Sequence, residues 1–176
     1  MQTRKAGIPR STCTLYGKQT RYRDPPEDVV RKLFGKCNCC SMENIRVKVT
    51  KSSKANICGA YFTAGQDIGG DRNKRCGSIV TSVIAGQSMY GKVRAFFSSV
   101  CPHNQGVYAH IEWMRVPDYP SGTPLVVRLR DNAAECTAPT VISILDIDPS
   151  RVICERSEVE NSYYMCRIEG LDTIKQ

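Results

Sequence analysis

The chain has 176 residues, a length that suits one globular domain and is short for two domains joined by a linker. Hydrophobic residues make up 41% and charged residues 24% of the sequence, which excludes a disordered chain and a membrane protein as the expected class. No run approaches about 18 consecutive apolar residues, and residues 1–10 lack the apolar core of a signal peptide. We therefore expect neither a transmembrane helix nor an export signal.

The positive charge is concentrated in the N-terminal third of the chain. The formal net charge is +8, and residues 1–54 contain 13 Lys and Arg against four Asp and Glu, whereas the remainder contains 12 against 13. Such a region fits contact with phosphate, an attraction that is largely independent of sequence and sensitive to salt. A solvated tail that aids solubility is the alternative. The basic residues predicted to contact nucleic acid are Arg4, Lys5, Arg10, Lys18, Arg21, Arg23, Arg31 and Lys32.

The N-terminal region is predicted to contain one short helix. Residues 1–24 show no lasting apolar period, so we expect an extended or partly disordered lead-in. Asp24 can cap the helix that follows, Pro25 and Pro26 suit its first turn, and Gly35 is placed to end it. The apolar stripe of this helix would consist of Val29, Val30, Leu33 and Phe34.

From residue 44 onward the pattern is that of β-structure. Residues 45–50 alternate apolar and polar side chains, which predicts a half-buried strand, and a tight turn is expected at 85–88. We predict a mostly β fold: a small antiparallel β-barrel over residues 44–176, preceded by a basic extension with a short helix over residues 1–43. Further strands are expected at 78–84, 89–97, 107–114, 125–129, 140–145, 152–154 and 163–168.

The order of features between residues 77 and 170 resembles that of a bromo-adjacent homology (BAH) domain. The strand YGKVRAFF at 90–97 precedes IEWMRVPD at 111–118, a strand with a tryptophan before a Pro-Asp turn. The stretches LDIDPSRVIC at 145–154 and SYYMCR at 162–167 are similar to the final pair of strands in that family. The acidic turn that usually follows the tryptophan strand is replaced here by YPSGTP at 119–124.

The BAH resemblance implies a non-enzymatic, chromatin-associated interaction module in a nuclear protein, with a histone tail or another chromatin protein as its partner. The same layout, together with the strand at 45–50 and the loop at 58–70, also resembles the β-rich region of proteins encoded by Kyakuja-Dileera-Zisupton type DNA transposons. The alternative function is direct binding of DNA or RNA through the basic N-terminal region. No membrane partner is expected.

An aromatic cage is the candidate ligand site that the resemblance implies. BAH modules that read methylated lysine surround the ammonium group with aromatic faces, which attract a cation once water is excluded. The resemblance places Tyr90, Trp113 and Tyr119 in the corresponding stretches. The competing interpretation, which we favour, is that Trp113, the one tryptophan, belongs to the core or the barrel rim and is covered by tyrosines.

Four of the ten cysteines are candidate ligands of a structural zinc site. Its thiolates would come from Cys37, Cys40, Cys58 and Cys76. The Cys-x-Cys-Cys spacing that begins at Cys37 differs from the Cys-x-x-Cys knuckle that holds tetrahedral zinc. Free or partly buried thiols are therefore favoured, and no cofactor is expected.

Catalysis has little support in the sequence. The nucleophile and base candidates are Cys101 with His103 or with His110. One proline separates the first pair, and the second has no evident orienting carboxylate or oxyanion site. His110 alternates with Tyr108 and Glu112, the pattern of an exposed strand histidine. We therefore predict that the protein is not an enzyme.

Overall fold

The computed structural model describes eight stretches of the chain, and they are mostly β-structure. The described residues are 13–34, 49–65, 79–99, 105–115, 125–129, 137–149, 152–156 and 162–167. Within these stretches, no helix has the length and apolar character needed to cross a membrane.

One helix, α1 (Glu27–Phe34), lies between the first two strands. A single 3-10 turn, Ile144–Asp146, lies between the eighth and ninth. In chain order the strands are β1 (Cys13–Arg21), β2 (Val49–Ile57), β3 (Ala60–Thr63), β4 (Ile79–Ile84), β5 (Gln87–Ser99), β6 (Gly106–Arg115), β7 (Leu125–Leu129), β8 (Val141–Ser143), β9 (Ile147–Asp148), β10 (Val152–Arg156) and β11 (Ser162–Arg167).

The strands form one antiparallel sheet, in the order β1-β2-β5-β6-β7-β11-β10. The remaining strands pair off this path: β3 pairs with β2, β4 pairs with β5 and β9, and β8 pairs with β6. The mostly β, antiparallel fold expected from the sequence is confirmed. The expected barrel is not: among the described residues no pairing joins β10 to β1, so the sheet stays open. One end of the sheet is β1, an unexpected strand that pairs with β2 and with no other described strand.

The lead-in expected over residues 1–24 contains this edge strand. Cys13 pairs with Ile57 at one end of the β1–β2 ladder, and Arg21 pairs with Thr50 at the other. Cys13 and Leu15, two positions apart, both pack against the core, as alternation in a strand requires. Where the structure describes it, the basic region predicted as an extension is therefore joined to the sheet.

Two tight hairpins organise the strands around the core. The turn between β2 and β3 has Cys58 at φ 50° and Gly59 at φ 86°, and the turn between β4 and β5 has Ala85 at φ 50° and Gly86 at φ 81°. Two successive positive φ values define the type I′ turn, whose twist matches that of the adjoining strands. The loop expected at 58–70 thus begins with a hairpin, and its first residues return as β3.

The core consists of two clusters of buried side chains. The larger lies on one side of the sheet, and the smaller packs α1 onto strand residues through Val29 and Leu33, which are almost fully buried. The larger contains Ala55, Ile57, Phe62, Ala64, Val80, Val93, Phe96, Ala109, Ile111, Trp113, Ile142, Ile144 and Ile147. The smaller contains Tyr22, Val29, Leu33, Val49, Phe97 and Val141.

Candidate functional site

Strands β1, β2 and β3 carry positive charge without any acidic side chain. Their sequences, CTLYGKQTR, VTKSSKANI and AYFT, contain four Lys and Arg and no Asp or Glu. Pairing of β1 and β3 with β2 brings these charges together at one end of the sheet. We call this the β1–β3 surface, and its members are Tyr16, Lys18, Lys51, Lys54 and Tyr61; Arg21 pairs with Thr50 and so lies on the face opposite Lys51.

The centre of the β1–β3 surface faces away from the larger core cluster. Ala55, Phe62 and Ile57 are buried in that cluster. Because successive side chains of a strand point to opposite faces, Lys54 and Tyr61 lie on the other face of the β2–β3 hairpin. Tyr16 pairs directly with Lys54 across the β1–β2 ladder and so joins them there.

The tyrosines and lysines of this surface are arranged in contact with one another. The rings of Tyr16 and Tyr61 meet edge to face, with centroids 5.3 Å apart and planes at 79°. The Lys54 Nζ lies 5.9 Å from the centroid of Tyr16, and the Lys51 Nζ lies 5.0 Å from that of Tyr22. Each ammonium group therefore rests near an aromatic face, a contact of about 0.5–1 kcal/mol at an exposed site.

A bulge in β1 allows the Lys54 side chain to lie across the strand. The β1–β2 register shifts between Tyr16 and Gln19, around Gly17 at φ 78°. The positive φ favours glycine here, and the Lys54 stem lies next to it, because a Cβ at Gly17 would be in van der Waals contact with the Lys54 Cδ at 3.4 Å. The buried Ser52 hydroxyl fixes this region: it donates to the Tyr16 carbonyl at 2.8 Å and accepts from the Lys54 amide at 3.1 Å.

Tyr16 of this surface and Tyr22, which contacts Lys51, both have a raised pKa and stay neutral. Burial raises the pKa of Tyr16, and the neighbouring Tyr61 raises it further. Burial, with a smaller effect from Asp28, also raises the pKa of Tyr22. The charge that this surface presents to solvent therefore comes from its lysines, with no phenolate from Tyr16 or Tyr22 beside them.

The predicted nucleic-acid residues separate into three groups in the structure. Lys18 and Arg21 are exposed on β1, and of the two Lys18 belongs to the β1–β3 surface. Arg31 and Lys32 lie on α1, where Arg31 pairs with Glu27 at 2.7 Å. Arg23 is exposed between β1 and α1, whereas Arg4, Lys5 and Arg10 lie outside the described residues. The sequence reasoning missed Lys51, Lys54, Tyr16 and Tyr61 as site residues.

The structure places Trp113 in the core. Its side chain is 2% exposed, belongs to the larger cluster, and donates from Nε1 to the Pro139 carbonyl at 2.9 Å. Tyr90 is half-buried on β5, and Tyr119 lies outside the described residues. A tryptophan buried in this way presents no open ring face to a methylammonium group, so the arrangement agrees with the core interpretation and not with a cage that uses Trp113.

A second polar cluster ties α1 to the sheet. Asp28 lies 3.0 Å from the Nε2 of His110 and accepts hydrogen bonds from the Thr140 hydroxyl and the Val29 amide. Burial opposes the charged form of Asp28, but the Thr140 bond, His110 and backbone amides outweigh it and lower the pKa of the carboxyl. The His110 side chain is 18% exposed and lies against Asp28, so the expectation of an exposed strand histidine was wrong.

The cysteine candidates are largely outside the described residues. Cys58 is exposed in the β2–β3 turn, where it hydrogen-bonds to Cys13, and Cys37, Cys40 and Cys76 are not described. Within the part of the chain that is described, no three His, Cys, Asp or Glu side chains are grouped to hold a metal ion. The proposed nucleophile Cys101 and its neighbour His103 also lie outside the description.

In comparisons with known proteins, no family model, no curated protein and no solved structure matches this chain. We therefore infer function from the residues of the β1–β3 surface themselves.

Proposed function

We propose that this protein is a non-enzymatic nucleic-acid-binding module that contacts the phosphate backbone through the β1–β3 surface. The observation that carries the proposal is the charge of the three paired strands, four basic side chains with no acidic one. Two of these, Lys51 and Lys54, lie against tyrosine rings and so have restricted freedom before any ligand arrives. Pre-ordered cations lose less side-chain entropy on binding.

The chemistry expected of such a surface is release of counterions from phosphate. Each lysine or arginine that neutralises a phosphate makes the affinity fall more steeply with salt, by about 0.7 in the logarithmic slope for single strands and about 0.9 for duplex DNA. Contacts of this kind carry no base sequence information. The proposed binding is therefore largely independent of sequence.

A nuclear setting among chromatin proteins or transposon-encoded proteins is part of the proposal. Its support is the BAH-like order of features between residues 77 and 170 and the similarity to Kyakuja-Dileera-Zisupton type proteins. Binding of a histone tail, the other function that this resemblance implies, ranks second. The buried Trp113 gives it no open aromatic pocket.

The test compares two double variants that remove the same amount of charge. Lys51→Gln with Lys54→Gln neutralises the β1–β3 surface, and Arg31→Gln with Arg94→Gln neutralises two arginines that are already paired with Glu27 and Glu112. Affinity for single-stranded and duplex oligonucleotides is measured by fluorescence anisotropy at several salt concentrations. The proposal predicts that the lysine variant binds more weakly and loses about 1–2 from its salt slope, whereas the arginine variant changes little.

Equal weakening by both double variants would show a response to net charge alone and would contradict the assignment to this surface. Absence of binding by the unmodified protein at low salt would contradict the proposed function itself. Circular dichroism of each variant establishes that the fold is unchanged.

A further inference from the structure

We propose that the β1–β3 surface selects single-stranded nucleic acid, with the ring of Tyr61 as the platform on which an unpaired base stacks. This inference rests on the proposed function and names its substrate class. Tyr61 is 62% exposed, although large apolar and aromatic side chains are usually buried in a packed domain.

The Tyr61 ring is held in place despite its exposure. It stands on the four-residue strand β3, opposite Asn56 of β2, and its strand neighbour Phe62 is buried in the core. The edge-to-face contact with Tyr16 restrains the orientation of the ring. A ring that is both restrained and exposed binds a flat partner with little loss of entropy.

A nucleotide offers the two groups that this arrangement can bind. Its base has an aromatic face, which stacks on tyrosine whatever the base, and its phosphate carries the charge that lysine attracts. Tyr16 contacts both the Tyr61 ring and the ammonium group of Lys54, so an aromatic platform and a cation both lie next to Tyr16. Single-strand-binding sites combine these two elements in a charged groove with stacking rings.

Duplex DNA cannot use the Tyr61 platform without opening, because the faces of its bases are already stacked on one another. The phosphates of a duplex can still contact the lysines of the β1–β3 surface. Removal of the ring should therefore weaken binding of single strands selectively, and removal of the lysines should weaken binding of both forms.

The experiment measures binding of the full chain to an oligothymidine and to a duplex oligonucleotide of mixed sequence, at one low salt concentration. The variants are Tyr61→Ala, Tyr61→Phe, and Val83→Ala as a control at another exposed apolar position, 66% exposed on β4. Loss of one stacked base corresponds to about a 5- to 150-fold weaker single-strand affinity. We expect Tyr61→Ala to show a loss in that range, with duplex affinity changed less than about twofold, and we expect Tyr61→Phe and Val83→Ala to bind like the unmodified protein.

Unchanged single-strand affinity in Tyr61→Ala, or an equal loss for both ligands, would overturn the inference. If the lysine double variant still weakened binding in that case, the proposed function would stand and only its substrate class would be wrong. If the unmodified protein bound neither ligand, both proposals would fail together.

Discussion

Replacement of Trp113 by alanine should destabilise the domain severely. The side chain is 2% exposed and its Nε1 donates to the Pro139 carbonyl at 2.9 Å. Truncation of a buried aromatic to alanine costs about 3–5 kcal/mol because transfer energy is lost and a cavity remains. Loss of the indole donor leaves a carbonyl without its partner, which adds about 1 kcal/mol where water cannot replace it.

The assay is urea unfolding followed by circular dichroism, with Tyr61→Ala as the matched control. Tyr61 is also an aromatic residue, but it is 62% exposed, so its truncation should change the free energy of unfolding by no more than about 0.5 kcal/mol. The Trp113→Phe variant should fall between the two because it retains part of the ring volume. A loss below about 1 kcal/mol for Trp113→Ala would refute the core assignment and return Trp113 to the surface.

Three further predictions concern packing, pH and turn geometry. A Cβ at Gly91 would stand 2.2 Å from Ile111 and 2.9 Å from Trp113. Gly91→Ala should therefore lower the free energy of unfolding by about 1–3 kcal/mol. An unchanged urea midpoint would contradict this packing. Because the pKa of Asp28 is lowered in the folded state, its ionised form stabilises the fold at pH values above the ordinary pKa of the carboxyl, and this stabilisation is lost as the pH falls through the lowered pKa. The advantage of the unmodified protein over Asp28→Asn should therefore shrink as the pH falls below about 5, and an advantage independent of pH would refute the linkage. Ala85 has φ 50°, so Ala85→Gly should raise the urea midpoint by relieving about 1 kcal/mol of strain, and a lower midpoint would show that the turn is not strained.

The strands from β4 onward, except the two-residue β9, could be predicted because their side chains alternate or are β-branched, although the strand predicted at 140–145 ends at Ser143, where the 3-10 turn begins. The predicted turn at 85–88 is realised at Ala85-Gly86, and the strand predicted at 125–129 is β7. Closure of the sheet could not be predicted from the same pattern. Alternation defines which face of a strand is buried, but it does not define which strand lies at the edge.

The candidate site was predicted less well than the fold. Residues 1–24 show no lasting apolar period, which predicted an extended or partly disordered lead-in, and the alternation of Cys13 and Leu15 that marks β1 was missed. Lys51, Lys54 and Tyr61 lie 30 or more residues beyond β1 in the sequence, and only the pairing of β1 and β3 with β2 brings them to it. The Cys58-Gly59 pair was the one local signal for the hairpin that carries Tyr61.

Ultraviolet crosslinking to a single-stranded oligonucleotide that contains bromodeoxyuridine, followed by mass spectrometry of the crosslinked peptides, locates the contact surface without any substitution. The structure predicts crosslinks on β1 and on the β2–β3 hairpin, with Tyr61 as the main site and Tyr16 as the next, because these are the aromatic rings of the β1–β3 surface. Crosslinks concentrated on α1 or on the β4–β5 hairpin, with none on β1 to β3, would contradict the assignment of this surface as the nucleic-acid interface.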